Sequence, residues 1–206
     1  REITPLTPEQ ARRLIETSTE DRYRALWITA LGTGLRQGEL LALRWEDVDL
    51  KAGRLRVRHT LANVGGTLTL LEPKTDRSRR LVVLPRLVRV ELRAHRTRQK
   101  EDRLLAGSRW TDSGHVFATT LGRPHHAATI TRAFQDALDR AKLPDVRFHD
   151  LRHSAATFLL SQGFTLEDVK NLLGHSSIVL TSNTYGHVLE QRQREVAIGM
   201  DAVLGG

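Results

Sequence analysis

Residues 149–187 read HDLRHSAATFLLSQGFTLEDVKNLLGHSSIVLTSNTYGH, the densest run of polar chemistry in the chain. His149, Arg152 and His153 fall on one side of a predicted helix, because residues three and four apart are neighbours there. The first turn of a helix also directs free N–H groups at an anion. The pattern predicts a helix with a polar patch suited to a phosphate, while its other side carries the apolar residues Leu151, Ala155, Phe158 and Leu159.

Two other interpretations of this patch stay open. It could be an ordinary solvated helix face, which is the common reason for an isolated His-x-x-Arg. It could also bind a metal, because His149 and His153 are four residues apart and His175 follows. Against a metal, no glutamate follows the first histidine as in zinc proteases, and the positive charge of Arg152 would repel a cation.

The rest of this stretch predicts a second helix followed by two isolated polar side chains. Thr165–Asp168 has the pattern of a capping box, and Gly174 fits a helix C-terminus. A helix is expected between them, with His175 in the turn that follows. A further short helix then leads to Tyr185, one of only two tyrosines in the chain.

The whole chain predicts a mainly helical fold with one small antiparallel sheet, an α+β class. Helices are expected over about 8–18, 21–31, 87–105, 127–141, 150–162, 166–172 and 178–184, with a short one near 37 and an amphipathic segment over 189–204. Gly32 and Gly34 are expected to break the second helix. β-Branched residues between turn signals predict strands over 54–59, 67–71 and 80–84.

Composition favours a nucleic-acid partner. The 206 residues hold 32 Lys and Arg against 24 Asp and Glu, a net charge of +8, and a chain this basic is attracted to polyanions. A membrane surface is the alternative partner. No apolar run approaches the length needed to span a bilayer. The absence of cysteine excludes disulfides and cysteine nucleophiles and suits a cytoplasmic protein.

Two further groups of cations stand outside the opening stretch. Arg36 follows two glycines at a predicted helix start, where its guanidinium can present a fork of donors to phosphate oxygens. Glu39 lies one turn on and could orient that guanidinium, or the two could form a plain surface ion pair.

A basic turn joins two of the predicted strands. Residues 72–80 read EPKTDRSRR, and Arg77, Arg79 and Arg80 are expected to contact the DNA backbone. Lys74 could act as a proton donor, because a lysine gives up its proton when its environment lowers its pKa, whereas an arginine effectively cannot.

Taken in order, these residues resemble the catalytic set of the tyrosine recombinases, the phage-integrase family: Arg36, Lys74, His149, Arg152, His175 and Tyr185. The surrounding sequences TGLRQGEL, PKTDRSRR, HDLRHSAAT, LGHSS and TSNTYGHV match as well. The resemblance runs from about Leu6 to the last predicted helix. It implies the fold of that family's catalytic domain, as a single domain over 1–206. The family's usual N-terminal DNA-binding domain is missing, and since the chain starts at Arg1 we expect a fragment of a longer protein.

The resemblance also implies a DNA strand-exchange reaction that needs no metal, ATP or other cofactor. Tyr185 would attack the scissile phosphate and form a 3′-phosphotyrosyl link. Arg36 and Arg152 would hold the non-bridging oxygens, and His175 would donate a third hydrogen bond.

Proton transfer and assembly follow from the same resemblance. His149 would act as the base for the tyrosine, and Lys74 would protonate the departing 5′ oxygen. Partners would be double-stranded DNA and three further copies of the chain, with a monomer or weak oligomer when DNA is absent. Residues 188–206 could be exchanged between protomers, and the protein would be cytoplasmic and nucleoid-associated in a prokaryotic or phage-infected cell.

Two other functions remain possible on the sequence alone. A basic DNA-binding module without catalysis would need the charge but not the tyrosine. A metal-dependent nuclease would rest on His149, His153 and His175.

Overall fold

The computed structural model describes residues 4–72 and 79–174, together with Ile198 and Met200. Over these residues the protein is mainly helical with small antiparallel sheets, which confirms the predicted fold class. Its helices are α1 (Pro8–Thr17), α2 (Arg24–Thr33), α3 (Gln37–Ala42), α4 (Arg86–Ala106), α5 (Ala127–Ala141), α6 (Asp150–Ser161) and α7 (Leu166–Leu173). Its strands are β1 (Val48–Asp49), β2 (Arg54–Val57), β3 (Thr60–Val64), β4 (Thr67–Leu71) and β5 (Arg80–Val83).

The strands form two sheets, not the single sheet that was predicted. One has the order β1-β2-β5, and the other is the hairpin β3-β4. Strand β3 was missed, although Gly65-Gly66 between two β-branched segments is a hairpin signal. Both glycines have positive φ, at 57° and 87°, as a tight turn of this kind requires.

Helix α1 begins as the sequence predicts. The Gln10 N–H donates to Thr7 Oγ1 at 3.2 Å, and the Thr7 N–H donates to Gln10 Oε1 at 2.9 Å. Helix α2 starts three residues later than expected, because the Asp21 carboxylate accepts the Tyr23 N–H at 2.8 Å and so stabilises a turn there.

Helix α2 also runs straight through Gly32, where a break was predicted. A Cβ on Gly32 would lie 2.6 Å from Val88 Cγ2 of α4, so this glycine lets two helices pack closely. The helix ends instead at Gly34, which has φ 61° and whose N–H donates to Ala30 O at 2.9 Å. A left-handed residue at this position closes a helix.

The core surrounds α2, which is buried on nearly every side. The Trp27 ring lies 5.3 Å from that of Phe134 and 5.8 Å from that of Phe148, measured between centroids. Tyr23 packs beside this group, 5.7 Å from Trp27. This tyrosine is therefore a packing residue.

Helices α6 and α7 complete the part of the fold that holds the candidate site. Their apolar faces meet at Ala156, Leu160, Val169 and Leu173, and α6 packs on α2. The helices predicted over 178–184 and 189–204 lie outside the described residues, apart from Ile198 and Met200, which are exposed. None of the described helices is both long and apolar enough to cross a bilayer.

Candidate active site

The structure describes part of the predicted site. Arg36, Glu39, His149 and Arg152 lie within the described residues, as do Arg79 and Arg80 of the basic turn. Lys74, Arg77, His175 and Tyr185 lie outside them, so their predicted roles remain predictions.

Arg36 stands where the chain leaves α2 and enters α3. Its backbone is extended, with φ −69° and ψ 152°, and its side chain is 42% exposed. The Arg36 N–H donates to Glu39 Oε2 at 2.9 Å, and Arg36 Nη1 donates to Glu39 Oε1 at 3.1 Å. The contact suggested by their spacing is present, and the Arg36 side chain stays partly exposed.

Glu39 is the point where several donors meet. Its side chain is only 6% exposed, and both oxygens accept bonds from Arg36 and from Arg80. Burial alone would raise the pKa of this carboxyl, but the hydrogen bonds and charge of Arg80, aided by Arg36, hold the pKa below its ordinary value. Glu39 is therefore a buried anion that fixes two arginines.

Arg80 is not placed as the sequence suggested. It was predicted to contact DNA, yet its side chain is 8% exposed and bonds to Glu39 at 3.1 and 3.0 Å. Arg79 is 52% exposed and pairs with Glu72, itself 75% exposed, so its DNA contact stays a prediction. Spacing along the chain could not separate these neighbours, because Glu39 lies 41 residues from Arg80.

Arg152 is almost wholly buried, at 3% exposure. Its Nη1 donates to Gly34 O and its Nη2 to Leu173 O, each at 2.7 Å. The Gly34 carbonyl belongs to the segment leading to Arg36, and the Leu173 carbonyl ends α7. Arg152 thus joins three helices, a structural role that the sequence did not predict.

His149 immediately precedes α6 and remains accessible to solvent. Partial desolvation lowers its pKa below the ordinary value, and the charges of Arg152 and Arg36 lower it further, against the opposing effect of Asp150. The ring therefore favours its neutral form near pH 7. Arg152 bonds to the carbonyl of Gly34, two residues before Arg36, and His149 lies three residues before Arg152 at the start of α6. The fold therefore brings these three predicted residues together from distant parts of the sequence.

His153 packs beside His149, with ring centroids 5.1 Å apart. Burial, followed by the neighbouring imidazole, lowers the pKa of His153 to about 4. In residues 4–72 and 79–174, no group of three or more His, Asp or Glu side chains is arranged to hold a metal ion. The third histidine of the metal hypothesis, His175, lies outside this part.

Gly34→Ala is expected to destabilise the domain more than Gly65→Ala. Both glycines have φ near +60°, a conformation that costs an L-residue about 1–2 kcal/mol. A Cβ on Gly34 would also lie 2.6 Å from Leu173 Cδ2, which is fully buried, whereas Gly65 has no neighbour within 4 Å. Overpacking adds about 1–3 kcal/mol. Urea unfolding of both variants measures the difference, and equal losses would refute the packing argument.

Comparison with known proteins gives consistent matches. A model described as the phage integrase family matches residues 5–192. A protein named tyrosine recombinase XerC-like, from Caldanaerobacter subterraneus subsp. tengcongensis, is 36% identical over 208 residues, covering 93% of this chain and 52% of that protein.

Solved structures share the fold. The XerA recombinase matches with a TM-score of 0.74 and 26% identity, over 95% of this chain and 64% of that one. The Tn1549 transposon integrase, solved in complex with a circular intermediate DNA, matches with a TM-score of 0.76 and 24% identity, over 90% of this chain and 62% of that one. The chain spans about half the length of the curated relatives it matches, at 52%, 53% and 54% of three of them.

Proposed function

Because the chain belongs to the phage integrase family, we propose that it cleaves and rejoins double-stranded DNA through a tyrosine nucleophile. The observation that carries this proposal is the convergence of Arg36, His149 and Arg152 at one place, from segments more than 110 residues apart. Two arginines and a neutral histidine provide the positive charge and the base that phosphoryl transfer requires.

The two arginines would neutralise the phosphate as charge spreads over its non-bridging oxygens. Arg36 is prepared for this, because Glu39 holds its guanidinium while 42% of the side chain stays exposed. Arg152 is held by two backbone carbonyls, which fixes its position before DNA arrives. Arg152 is only 3% exposed, so DNA binding would have to uncover its guanidinium before it could bind the phosphate.

Proton transfers complete the proposed reaction. A tyrosine with a pKa of about 10 is mostly neutral at pH 7, so Tyr185 needs a base, and neutral His149 can accept its proton. Attack of the Tyr185 oxygen on phosphorus breaks the bond to the 5′ oxygen, which Lys74 would protonate. Attack by a 5′ hydroxyl reverses these steps and remakes a phosphodiester, so no ATP or metal enters the proposed scheme.

The proposed partners are double-stranded DNA and further copies of this chain. The net charge of +8 and the DNA complex of the Tn1549 integrase support DNA as the substrate. We propose a homotetramer on DNA, with residues 188–206 exchanged between protomers. Light scattering of DNA complexes, with the full chain and with a chain that ends at His187, measures both features.

Covalent capture tests the proposed chemistry. The chain is mixed with a nicked suicide duplex in EDTA, and adducts are resolved on a denaturing gel. We expect an adduct with the wild type and with Tyr23→Phe, and none with Tyr185→Phe. Tyr23 is the matched control, because it is the other tyrosine of the chain and packs beside Trp27.

The same gel separates the competing functions. DNA binding without any adduct would instead indicate a binding module without catalysis. Cleavage that requires a divalent metal and leaves no adduct would indicate a metal-dependent nuclease.

A further inference from the structure

Arg80 bonds to two parts of the candidate site that are far apart in the sequence. It bonds to Glu39, which in turn holds Arg36, and its Nε donates to Leu172 O at 3.0 Å. It is also the first residue of β5 and the last residue of the basic turn that carries Lys74. One guanidinium therefore bonds both to the segment that holds Arg36 and to the end of α7.

The pair with Glu39 is built for a fixed geometry. Two donors of Arg80 face two oxygens of Glu39, at 3.1 and 3.0 Å, with both side chains less than a tenth exposed. Paired bonds of this kind define an orientation as well as a distance. Arg80 thereby fixes the orientation of the Glu39 carboxylate, which in turn bonds to Arg36.

The contact with Leu172 reaches the end of α7. Gly174 closes that helix with φ 66°, and a Cβ there would lie 2.9 Å from Arg80 Nη1. The chain can pass this close to the guanidinium only because residue 174 has no side chain. Arg80 therefore contacts the end of α7 at Leu172 and lies close to Gly174.

Strand pairing anchors Arg80 at its own position. It pairs with Val57 across the β2-β5 ladder, so its backbone is held while the side chain reaches α3 and α7. Little of the side chain is left for solvent or for DNA. The side chain of Arg80 instead holds Glu39 of α3 and Leu172 of α7 in place.

We propose that Arg80 is a positioning residue for strand cleavage, which sets Arg36 through Glu39 and holds the end of α7 through Leu172. The inference rests on the proposed function. It assigns to Arg80 an effect on the cleavage step, where the sequence had suggested an effect on DNA binding.

Arg80→Gln is compared with Arg24→Gln, a matched control in a different part of the fold. Arg24 is also a mostly buried arginine, which bonds to a carboxylate, Glu91 at 3.2 Å, and to a backbone carbonyl, that of Ile15. Each variant removes bonds to one carboxylate and to one backbone carbonyl. Only Arg80 adjoins the candidate site.

We expect Arg80→Gln to lower the single-turnover rate of adduct formation by about 100-fold per folded molecule, the scale on which small misplacements act. Affinity for an uncleaved duplex should change by less than about 3-fold, because many other cations hold the backbone. Arg24→Gln should leave the rate per folded molecule within about 3-fold of wild type. Equal rate losses in the two variants would overturn the proposal.

A neutral substrate tests whether the effect passes through the clamp. A methylphosphonate at the scissile position removes the negative charge that Arg36 would neutralise, so the Arg80→Gln defect should shrink to under about 10-fold. A general folding defect would be the same on both substrates. An unchanged defect on the methylphosphonate would contradict positioning through Arg36.

Amide hydrogen exchange measures whether Arg80 positions Arg36 without requiring any catalytic activity. The Arg36 amide donates to Glu39, so its exchange should accelerate by at least about 10-fold in Arg80→Gln and not in Arg24→Gln. If the wild type formed no adduct, the proposed function would fail, and this exchange measurement would still decide whether Arg80 positions Arg36. Equal exchange in both variants would overturn the inference.

Discussion

Replacing Arg152 by alanine is expected to lower the rate of strand cleavage by at least about 100-fold, because a preorganised donor to the phosphate is lost. DNA affinity should stay within about 3-fold, since many other cations contact the backbone. Single-turnover adduct formation and equilibrium binding to an uncleaved duplex measure the two effects. Losses of equal size in binding and cleavage would show that Arg152 is not a catalytic clamp.

The same substitution is expected to weaken the fold, and this has to be measured separately. Arg152 bonds to the carbonyls of Gly34 and Leu173 in the interior, and each buried acceptor left unpaired costs about 1–3 kcal/mol. Urea unfolding gives the loss and sets conditions in which the variant is folded. Arg12→Ala is the control, since its ion pair with Glu9 lies at the surface, with the two side chains 65% and 73% exposed, where such pairs contribute little.

Local patterns predicted most helix boundaries. The capping box at Thr7, the glycine after α7 and the apolar spacing of α6 each report on neighbours within four residues. The bounds of α1, α5, α6 and α7 accordingly match the prediction to within a residue. The pairing of Arg36 with Glu39 could also be predicted from the sequence, because the two residues are three positions apart.

The errors concern contacts between distant segments. Gly32 has the sequence pattern of a helix breaker. In the structure it lies inside α2, where the absence of a side chain leaves room for Val88. Arg80 resembles a surface cation in a basic turn, and only the folded chain brings it to Glu39, 41 residues away. Arg152 was correctly placed on α6, but its two carbonyl partners are 118 and 21 residues distant. The spacing of residues along the sequence cannot predict contacts between residues this far apart.

Glu39→Gln is expected to destabilise the domain strongly near neutral pH. The substitution leaves Arg80 without its carboxylate at 8% side-chain exposure, and breaking a buried ion pair from one side costs about 3–5 kcal/mol. Urea unfolding at pH 7 measures the loss. Glu9→Gln is the control, because Glu9 pairs with Arg12 at the surface, at 73% and 65% exposure, and its removal should not shift the unfolding midpoint measurably.

The pH dependence identifies the charge as the cause. The pKa of Glu39 is lower in the folded protein than its unfolded value of about 4.5, so its charge contributes stability that is fully present above about pH 4.5 and is lost as pH falls through the folded pKa. The amide that replaces the carboxyl in Glu39→Gln does not titrate. The difference in unfolding free energy between wild type and variant should therefore be constant from pH 7 down to about pH 5 and should narrow below it. A difference that stayed constant into strong acid would mean that Glu39 stabilises the fold through shape and packing, and Arg80 would then not depend on its charge.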